Sequence, residues 1–300
     1  MTKTVLVTGA SGRAGSHAVK AFNADGWRVR IYDRNTDLVA AAMGADVIYN
    51  GMNPPNYNNW AKHIPMITKT VIRAAKASGA CILMPGTVYV FGDQPGRLSH
   101  ETPHRGTARK GRIRSEMEAA FKVAASDGVQ TILLRGGDFI DPDNGTDAME
   151  MVYLRSIAKG RIVYPGDPDA VRSHCYQPDF ARAAVALANR REQLAAYEDV
   201  CFPGHNFSVR DLKTEVQRLT GRKLTLKPFP WWLIRVASPF SELFREMLEM
   251  RYLWNLPHQL DPTKFDALLP EFHSTSLECV LRTSLARVNA PTTDMQAVVA

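Results

Sequence analysis

A chain of 300 residues with 45% hydrophobic, 9% aromatic and 22% charged side chains has ordinary globular composition, which excludes disordered, collagen-like and coiled-coil classes. Lysine and arginine outnumber aspartate and glutamate 37 to 30, a net charge of +7 with a pI near 9.3, which favours anionic small molecules as partners. Mean hydropathy is −0.22 and no apolar run approaches the roughly 20 residues of a membrane span, so no membrane partner is expected.

Val5-Leu6-Val7 follows Met1-Thr2-Lys3-Thr4 directly and reads as a strand, where a signal peptide would carry a longer apolar stretch. Cys81, Cys175, Cys201 and Cys279 are scattered without a Cys-x-x-Cys pair. A zinc site or disulfide framework is therefore not expected, and a reducing cytoplasm is.

Taken in chain order, the first half alternates apolar runs with helical patterns, which predicts a parallel sheet covered on both faces. A helix is predicted over 13–24, with Ala14, Ala18, Ala21 and Phe22 facing inward, and strands over 29–32 and 46–49. Residues 50–60 form a loop rich in Asn and Pro. A helix opened by Pro65 runs to 78, a strand covers 81–84, a helix 109–126 and a strand 131–134. In the helix over 109–126, Ile113, Met117, Ala120 and Phe121 supply the buried stripe.

After Pro142 the alternation becomes irregular. Helices are expected over 148–159 and 178–189, and a late strand over 200–202 returns to the main sheet. From Lys227 onward the aromatic residues Trp231, Trp232, Phe240, Phe244, Tyr252 and Trp254 mark a smaller, α-rich C-terminal lobe. The expected division is a dinucleotide-binding domain over 1–165, with a return segment near 175–220, and an interleaved substrate lobe over 166–300. The second predicted strand ends at Asp33 and the next begins at Asp46, so residues 35–44 hold one short helix at most. A crossover needs about 10 or more residues, so the usual third strand of a doubly wound fold is expected to be missing, leaving strand two at the sheet edge.

The segment Thr8-Gly9-Ala10-Ser11-Gly12-Arg13-Ala14-Gly15 follows a predicted strand and opens a predicted helix. Glycines there permit a tight turn, approach of backbone to a pyrophosphate, and close packing of helix on strand, while the helix N-terminus offers N–H groups to the phosphates. Gly9, Ser11, Gly12, Arg13, Ala14 and Gly15 are thus candidate cofactor residues. Asp33, closing the second strand, is placed to bind adenosine ribose hydroxyls, which points to NAD. Arg34 beside it and Arg13 in the loop are equally placed for a 2′-phosphate, which points to NADP.

These residues resemble the extended and atypical short-chain dehydrogenase/reductases, which include NAD-dependent nucleotide-sugar epimerases and dehydratases. The TGxxGxxG loop matches their fingerprint, and Thr87-Val88-Tyr89-Val90-Phe91-Gly92-Asp93 is similar to the family's serine-containing strand end. Arg135-Gly136-Gly137-Asp138-Phe139-Ile140-Asp141-Pro142 resembles the segment beside the nicotinamide, and Tyr176-Gln177-Pro178-Asp179 a later helix start. The resemblance spans residues 3–220 and implies a Rossmann-type α/β fold; the fold itself hosts many reactions.

By this resemblance Thr87 takes the catalytic Ser/Thr position, polarising a substrate oxygen. Lys110 stands where the family has its tyrosine and Arg114 where it has its lysine, in Ala108-Arg109-Lys110-Gly111-Arg112-Ile113-Arg114. Four apart on a helix, the two share a face. Arginine stays protonated at ordinary pH, so Arg114 can hold ribose or phosphate but cannot act as a base. Lys110 can exchange protons only where burial and a neighbouring cation favour a neutral amine. Tyr89, two residues past Thr87, shares its face if the strand continues; otherwise it is a packed aromatic.

Asn53, in the loop after the third predicted strand, is placed to touch cofactor or substrate, or to serve a rigid turn. His174 reads as a core histidine or an acid/base, with the core role favoured because no carboxylate partner is evident. Arg105, Arg109, Lys110, Arg112 and Arg114 read as a charged helix face, and no nucleic-acid module accompanies them. Pro230-Trp231-Trp232 and residues 247–254 are expected to divide between core and substrate pocket.

Two functions remain open. One is an NAD(P)-dependent oxidoreductase, epimerase or dehydratase acting on a small hydroxyl or carbonyl substrate, a nucleotide sugar among the options. The other is a non-catalytic NAD(P)-binding sensor or interaction protein. Helix-pair homodimers are common in the family, and the charge on the 109–126 helix leaves that assembly open here.

Overall fold

A computed structural model of the chain describes residues 2–54, 58–145 and 147–289. β1 (Thr4–Thr8), α1 (Arg13–Ala24), β2 (Arg28–Ile31), α2 (Leu38–Ala42), β3 (Val47–Asn50), α3 (Trp60–Ser78) and β4 (Cys81–Gly86) follow one another. A short strand, β5 (Gly96–Leu98), precedes α4 (Arg109–Ser126) and β6 (Thr131–Arg135). Next come β7 (Asp138–Ile140), β8 (Arg161–Tyr164), β9 (Arg172–Tyr176), α5 (Gln177–Asn189), β10 (Tyr197–Cys201) and β11 (His205–Phe207). The described C-terminal part holds α6 (Val209–Thr220), β12 (Thr225–Pro228), α7 (Trp231–Ala237), α8 (Glu242–Glu249), β13 (His258–Leu260), α9 (Thr263–Leu268) and α10 (Leu277–Asn289).

Six strands form one parallel sheet in the order β10-β6-β4-β3-β1-β2. The short 35–44 segment holds only α2, and among the described residues no strand lies beyond β2, which is the sheet edge as expected. Strand order reverses between β1 and β3, the switch point outside which open α/β sheets bind ligands. Phe22 of α1 and Phe180 and Ala184 of α5 pack on one face; Ile64 and Val71 of α3 and Met117 and Phe121 of α4 pack on the other. The sheet is thus buried on both sides, which explains its continuous apolar strands.

The remaining strands build the lobe above the carboxyl ends. β11, β9, β13 and β5 form a second sheet, with β7 parallel to β9, and β8 pairs with β12. Ile140, Tyr153, Ile162, Phe207, Leu212 and Leu281 belong to its core.

Several elements differ from the expectation. α3 begins at Trp60, five residues before Pro65. The proline sits on the exposed side of the helix, where Ala61, whose carbonyl loses its amide partner, is solvent-exposed. No α-helix covers 148–159: a π-helical turn (Met149–Tyr153) and a 3₁₀ turn (Ile157–Lys159) stand there. The residues that bury, Met149, Tyr153, Leu154 and Ile157, follow a spacing that an α-helix would share, so the pattern alone does not separate an α-helix from these turns. The late strand starts at Tyr197, because its acids Glu198 and Asp199 are neutralised by Lys264 and Arg135. In α4, Ala120 is exposed, and the buried stripe runs through Lys110, Ile113, Arg114, Met117, Glu118 and Phe121.

Candidate active site

The β1–α1 turn is closed by contact of backbone on backbone. Gly9 adopts φ +66°, and a Cβ added to Gly15 would lie 2.1 Å from the Gly9 carbonyl oxygen. The same turn presses on the end of β3, since a Cβ at Gly9 would lie 2.5 Å from the carbonyl oxygen of Gly51. Thr8 ties the two strands together through Oγ1, which donates towards the Tyr49 carbonyl (3.2 Å). Gly12 is the N-cap of α1 and supplies no side-chain cap, so the first N–H groups of the helix are not taken up by a capping side chain. Ser11 and Arg13 on the rim of this turn are exposed and Ala14 half-buried. The group implied by such a turn, a dinucleotide diphosphate, fits this backbone.

Asp33 lies just beyond β2 and is exposed, as is Arg34. Its Oδ1 accepts from the Asn35 amide (2.9 Å), making a turn at the edge of the cradle.

The second part of the site grows from the end of β4. The strand stops at Gly86, and Thr87 caps a 3₁₀ turn (Val88–Phe91). Thr87 Oγ1 is buried and has no hydrogen-bond partner among the described residues. The strand does not continue to Tyr89, so Tyr89 does not share the face of Thr87. Its half-buried ring packs with Ala108, Met250 and Leu253.

The Thr87 backbone is braced from below. Arg135, at the end of β6 and fully buried, donates to the Thr87 carbonyl (2.7 Å), to both oxygens of Glu118 (2.8 and 3.2 Å) and to Asp199 (2.6 Å). Burial opposes the charge on this guanidinium, but the two carboxylates outweigh it and hold its pKa well above the usual value. A single cation therefore joins β4, α4, β6 and β10. Glu118 and Asp199 were missed in the sequence. Glu118 falls on the buried stripe of α4 one position after Met117, and that spacing was the available signal.

α4 starts beside Thr87 because Gly111 lets it: a Cβ there would lie 2.5 Å from the Tyr89 carbonyl oxygen. Lys110 and Arg114 follow one another on this turn and are both buried, so the reading of a charged, solvated helix face holds only for its exposed members, including Arg109 and Arg112. The Lys110 ammonium bonds a Glu246 carboxylate oxygen and lies 3.2 Å from Glu249 Oε2, both on α8. Arg109 joins Glu246 from outside. Burial raises the Glu249 carboxyl, but Lys110 and the hydrogen bonds around it outweigh that and leave it below the usual range. Arg114 Nη2 donates to Asn53 Oδ1 (2.9 Å), and its guanidinium lies 4.8 Å from the centre of the Trp60 ring. The structure thus brings Asn53 and Arg114 together. Pro55, Asn56 and Tyr57 of the same loop lie outside the described residues.

On the lobe side, Arg172 of β9 is buried, pairs with Asp138 of β7 and lies 4.2 Å from the Trp254 ring centre. His174 stacks on Phe207 at 3.7 Å, with Nδ1 2.9 Å from the Arg172 carbonyl. Burial, and next the Arg172 charge, hold it well below the ordinary histidine range. It is a core histidine in its contacts. His17, Asp141 and Asp143 converge near α1, but Asp141 already accepts from His17 (2.9 Å) and from the Asp143 amide (2.9 Å), which makes a capped turn.

The fold and the glycine cradle define a Rossmann-type dinucleotide-binding protein. The model of the NAD-dependent epimerase/dehydratase family matches residues 5–201, and the chain belongs to that family. Comparison with curated protein sequences gave no match. Among solved structures, UDP-glucuronic acid 4-epimerase from Bacillus cereus in complex with NAD superposes with a TM-score of 0.76 at 18% identity, covering 95% of this chain and 96% of that one. UDP-glucose 4-epimerase from Brucella ovis in complex with NAD gives 0.72 at 17%, over 96% and 98%. L-threonine dehydrogenase from Phytophthora infestans gives 0.72 at 17%, over 96% and 99%. At such identities the likeness is one of fold, and it extends through the C-terminal lobe.

Proposed function

We propose that the chain is an NAD-dependent enzyme acting at a hydroxyl or carbonyl carbon of a nucleotide sugar. The observation that carries this reading is Thr87 Oγ1, buried, without a partner among the described residues and set at the carboxyl end of β4. A buried hydroxyl left unpaired has a cost that a bound substrate oxygen removes. The similar B. cereus and B. ovis proteins are a UDP-glucuronic acid 4-epimerase and a UDP-glucose 4-epimerase, which supplies the substrate class.

Gly9, Ser11, Gly12, Arg13, Ala14 and Gly15 would hold the NAD diphosphate, Asp33 the adenosine ribose, with Arg34 beside it, and Arg114 with Asn53 the nicotinamide-side ribose. Bound there, NAD supplies a hydride acceptor and donor. Thr87 orients the substrate oxygen by hydrogen bonding. Lys110 exchanges the proton, although its neighbours are two carboxylates and not the cation expected from the sequence. In oxidation it takes the hydroxyl proton after passing one of its own to the touching Glu246 carboxylate, and in reduction both transfers run backwards. Arg114 stays protonated and only positions. Arg172, buried beside Trp254 and paired with Asp138, would be the lobe-side cation for substrate phosphates.

The second reading, a nucleotide-binding protein without turnover, is favoured by one observation: Lys110 is engaged by Glu246 and Glu249. Calorimetric titration with NAD and NADP, followed by product analysis over UDP-hexoses, UDP-uronic acids and simple ketones and alcohols, separates the two. The enzyme reading expects turnover that falls roughly 100-fold in Thr87→Ala with NAD affinity unchanged. Tight NAD binding with no product across the panel overturns it and leaves the sensor.

A further inference from the structure

The segment after β12 is built unlike the rest of the molecule. α7 buries none of its seven residues. Trp231 roots it: its indole Nε1 donates to the Pro165 carbonyl, its ring sits 4.9 Å from that of Phe229, and Arg251 lies over it. The neighbouring side chains point away. Trp232, Leu233, Val236 and, one turn on, Phe240 are 66%, 47%, 68% and 91% exposed. On a helix these positions fall on one side, so they form one continuous apolar face rather than scattered exposures.

The charges around this face have one sign. Between 221 and 245 the chain carries Arg222, Lys223, Lys227, Arg235 and Arg245 against a single acid, Glu242. Lys227, Arg235 and Arg245 are exposed. Arg245 Nη1 donates to the carbonyls of Ser238 (3.0 Å) and Pro239 (3.2 Å), which pins a cation at the rim beside Phe240.

We propose that α7 and the Phe240 turn dock on an anionic lipid surface. Tryptophan, phenylalanine and leucine on one side of a short helix with arginines at its rim is the composition of a helix that lies in a headgroup layer. The basic ring supplies the attraction to anionic lipid, which falls off within a Debye length. A second copy of the chain fits less well, because a two-fold contact would set this patch against itself and bring cation against cation. The contact is peripheral. α7 has seven residues, and no helix among the described residues is long and apolar enough to cross a membrane.

The test is co-sedimentation of the full chain with vesicles of phosphatidylcholine alone and of an equal mixture with phosphatidylglycerol. The proposal expects binding to the mixture, release by salt, and little binding to phosphatidylcholine alone. Trp232→Ser with Phe240→Ser, and separately Arg235→Glu with Arg245→Glu, should each lower the bound fraction at least about tenfold. Circular dichroism and NAD titration verify that these exposed substitutions leave the fold in place. Absence of binding to the mixture, equal binding to both vesicles, or a dimer in light scattering that Trp232→Ser with Phe240→Ser dissolves would each overturn the proposal.

Discussion

Lys110 on α4 and Glu246 on α8 meet across the boundary between the sheet domain and the lobe, each almost wholly buried, with ammonium against carboxylate. The pair sits at the position of the expected proton-exchanging residue, so one contact joins the chemistry to the closure of the lobe. Removing one partner leaves the other buried with less compensation. Lys110→Met is expected to lower stability by about 3 kcal/mol in urea unfolding, with Arg109 still on Glu246 limiting the loss. Adding Glu246→Leu should recover part of it. Turnover should be lost in both variants, whereas a purely structural role for Lys110 would return activity with stability.

Arg135 carries a heavier demand, because two acids and the Thr87 carbonyl depend on it. Arg135→Met strands Glu118, whose side chain is 1% exposed, and should cost at least about 3 kcal/mol. Arg135→Lys should recover only a fraction, since an ammonium cannot span both acids and the carbonyl as a guanidinium fork does. Thermal unfolding of the three proteins checks the order wild type, lysine, methionine.

The glycine turn gives a graded test of cofactor binding. Gly15→Ala places a methyl 2.1 Å from the Gly9 carbonyl oxygen, and the turn must open to admit it. NAD affinity should drop at least tenfold, about 1.4 kcal/mol. Gly12→Ala meets the same oxygen only at 3.2 Å and should lose less. Equal affinities in calorimetry would place the dinucleotide elsewhere.

This turn was legible in the sequence because its chemistry is local: strand, glycines and helix lie within 20 residues and each glycine has a steric reason. The missing strand was legible too, from the shortness of 35–44 alone. The charge pairing on the buried face of α4 was not. Ile113, Met117 and Phe121 read correctly as its apolar stripe, but Glu118 was not singled out because charge normally faces solvent, and the compensating partners lie apart in the chain, Glu246 136 residues from Lys110 and Arg135 17 residues from Glu118. Likewise the π-helical turn at Met149–Tyr153 hides behind a pattern that an α-helix would share. What depends on long-range charge pairing has no local signature.

The lobe histidines make stability fall in mild acid. Burial first, and then the Arg172 charge, push His258 down to about 4 from an ordinary 6.5. Its Nδ1 lies 3.0 Å from the Leu256 carbonyl, a contact that favours the charged ring but is outweighed by burial. Between these two values the unfolded chain binds a proton that the folded chain refuses, so stability rises with pH across the window and is lost as pH falls from 6.5 towards 4. For His258 alone the loss is about 3 kcal/mol, and His174, also held well below the ordinary range by burial and the Arg172 charge, adds to it. Urea midpoints should stay level near neutrality and drop through the window. His258→Asn should flatten the slope; an unchanged slope would mean that His258 titrates as it does in water.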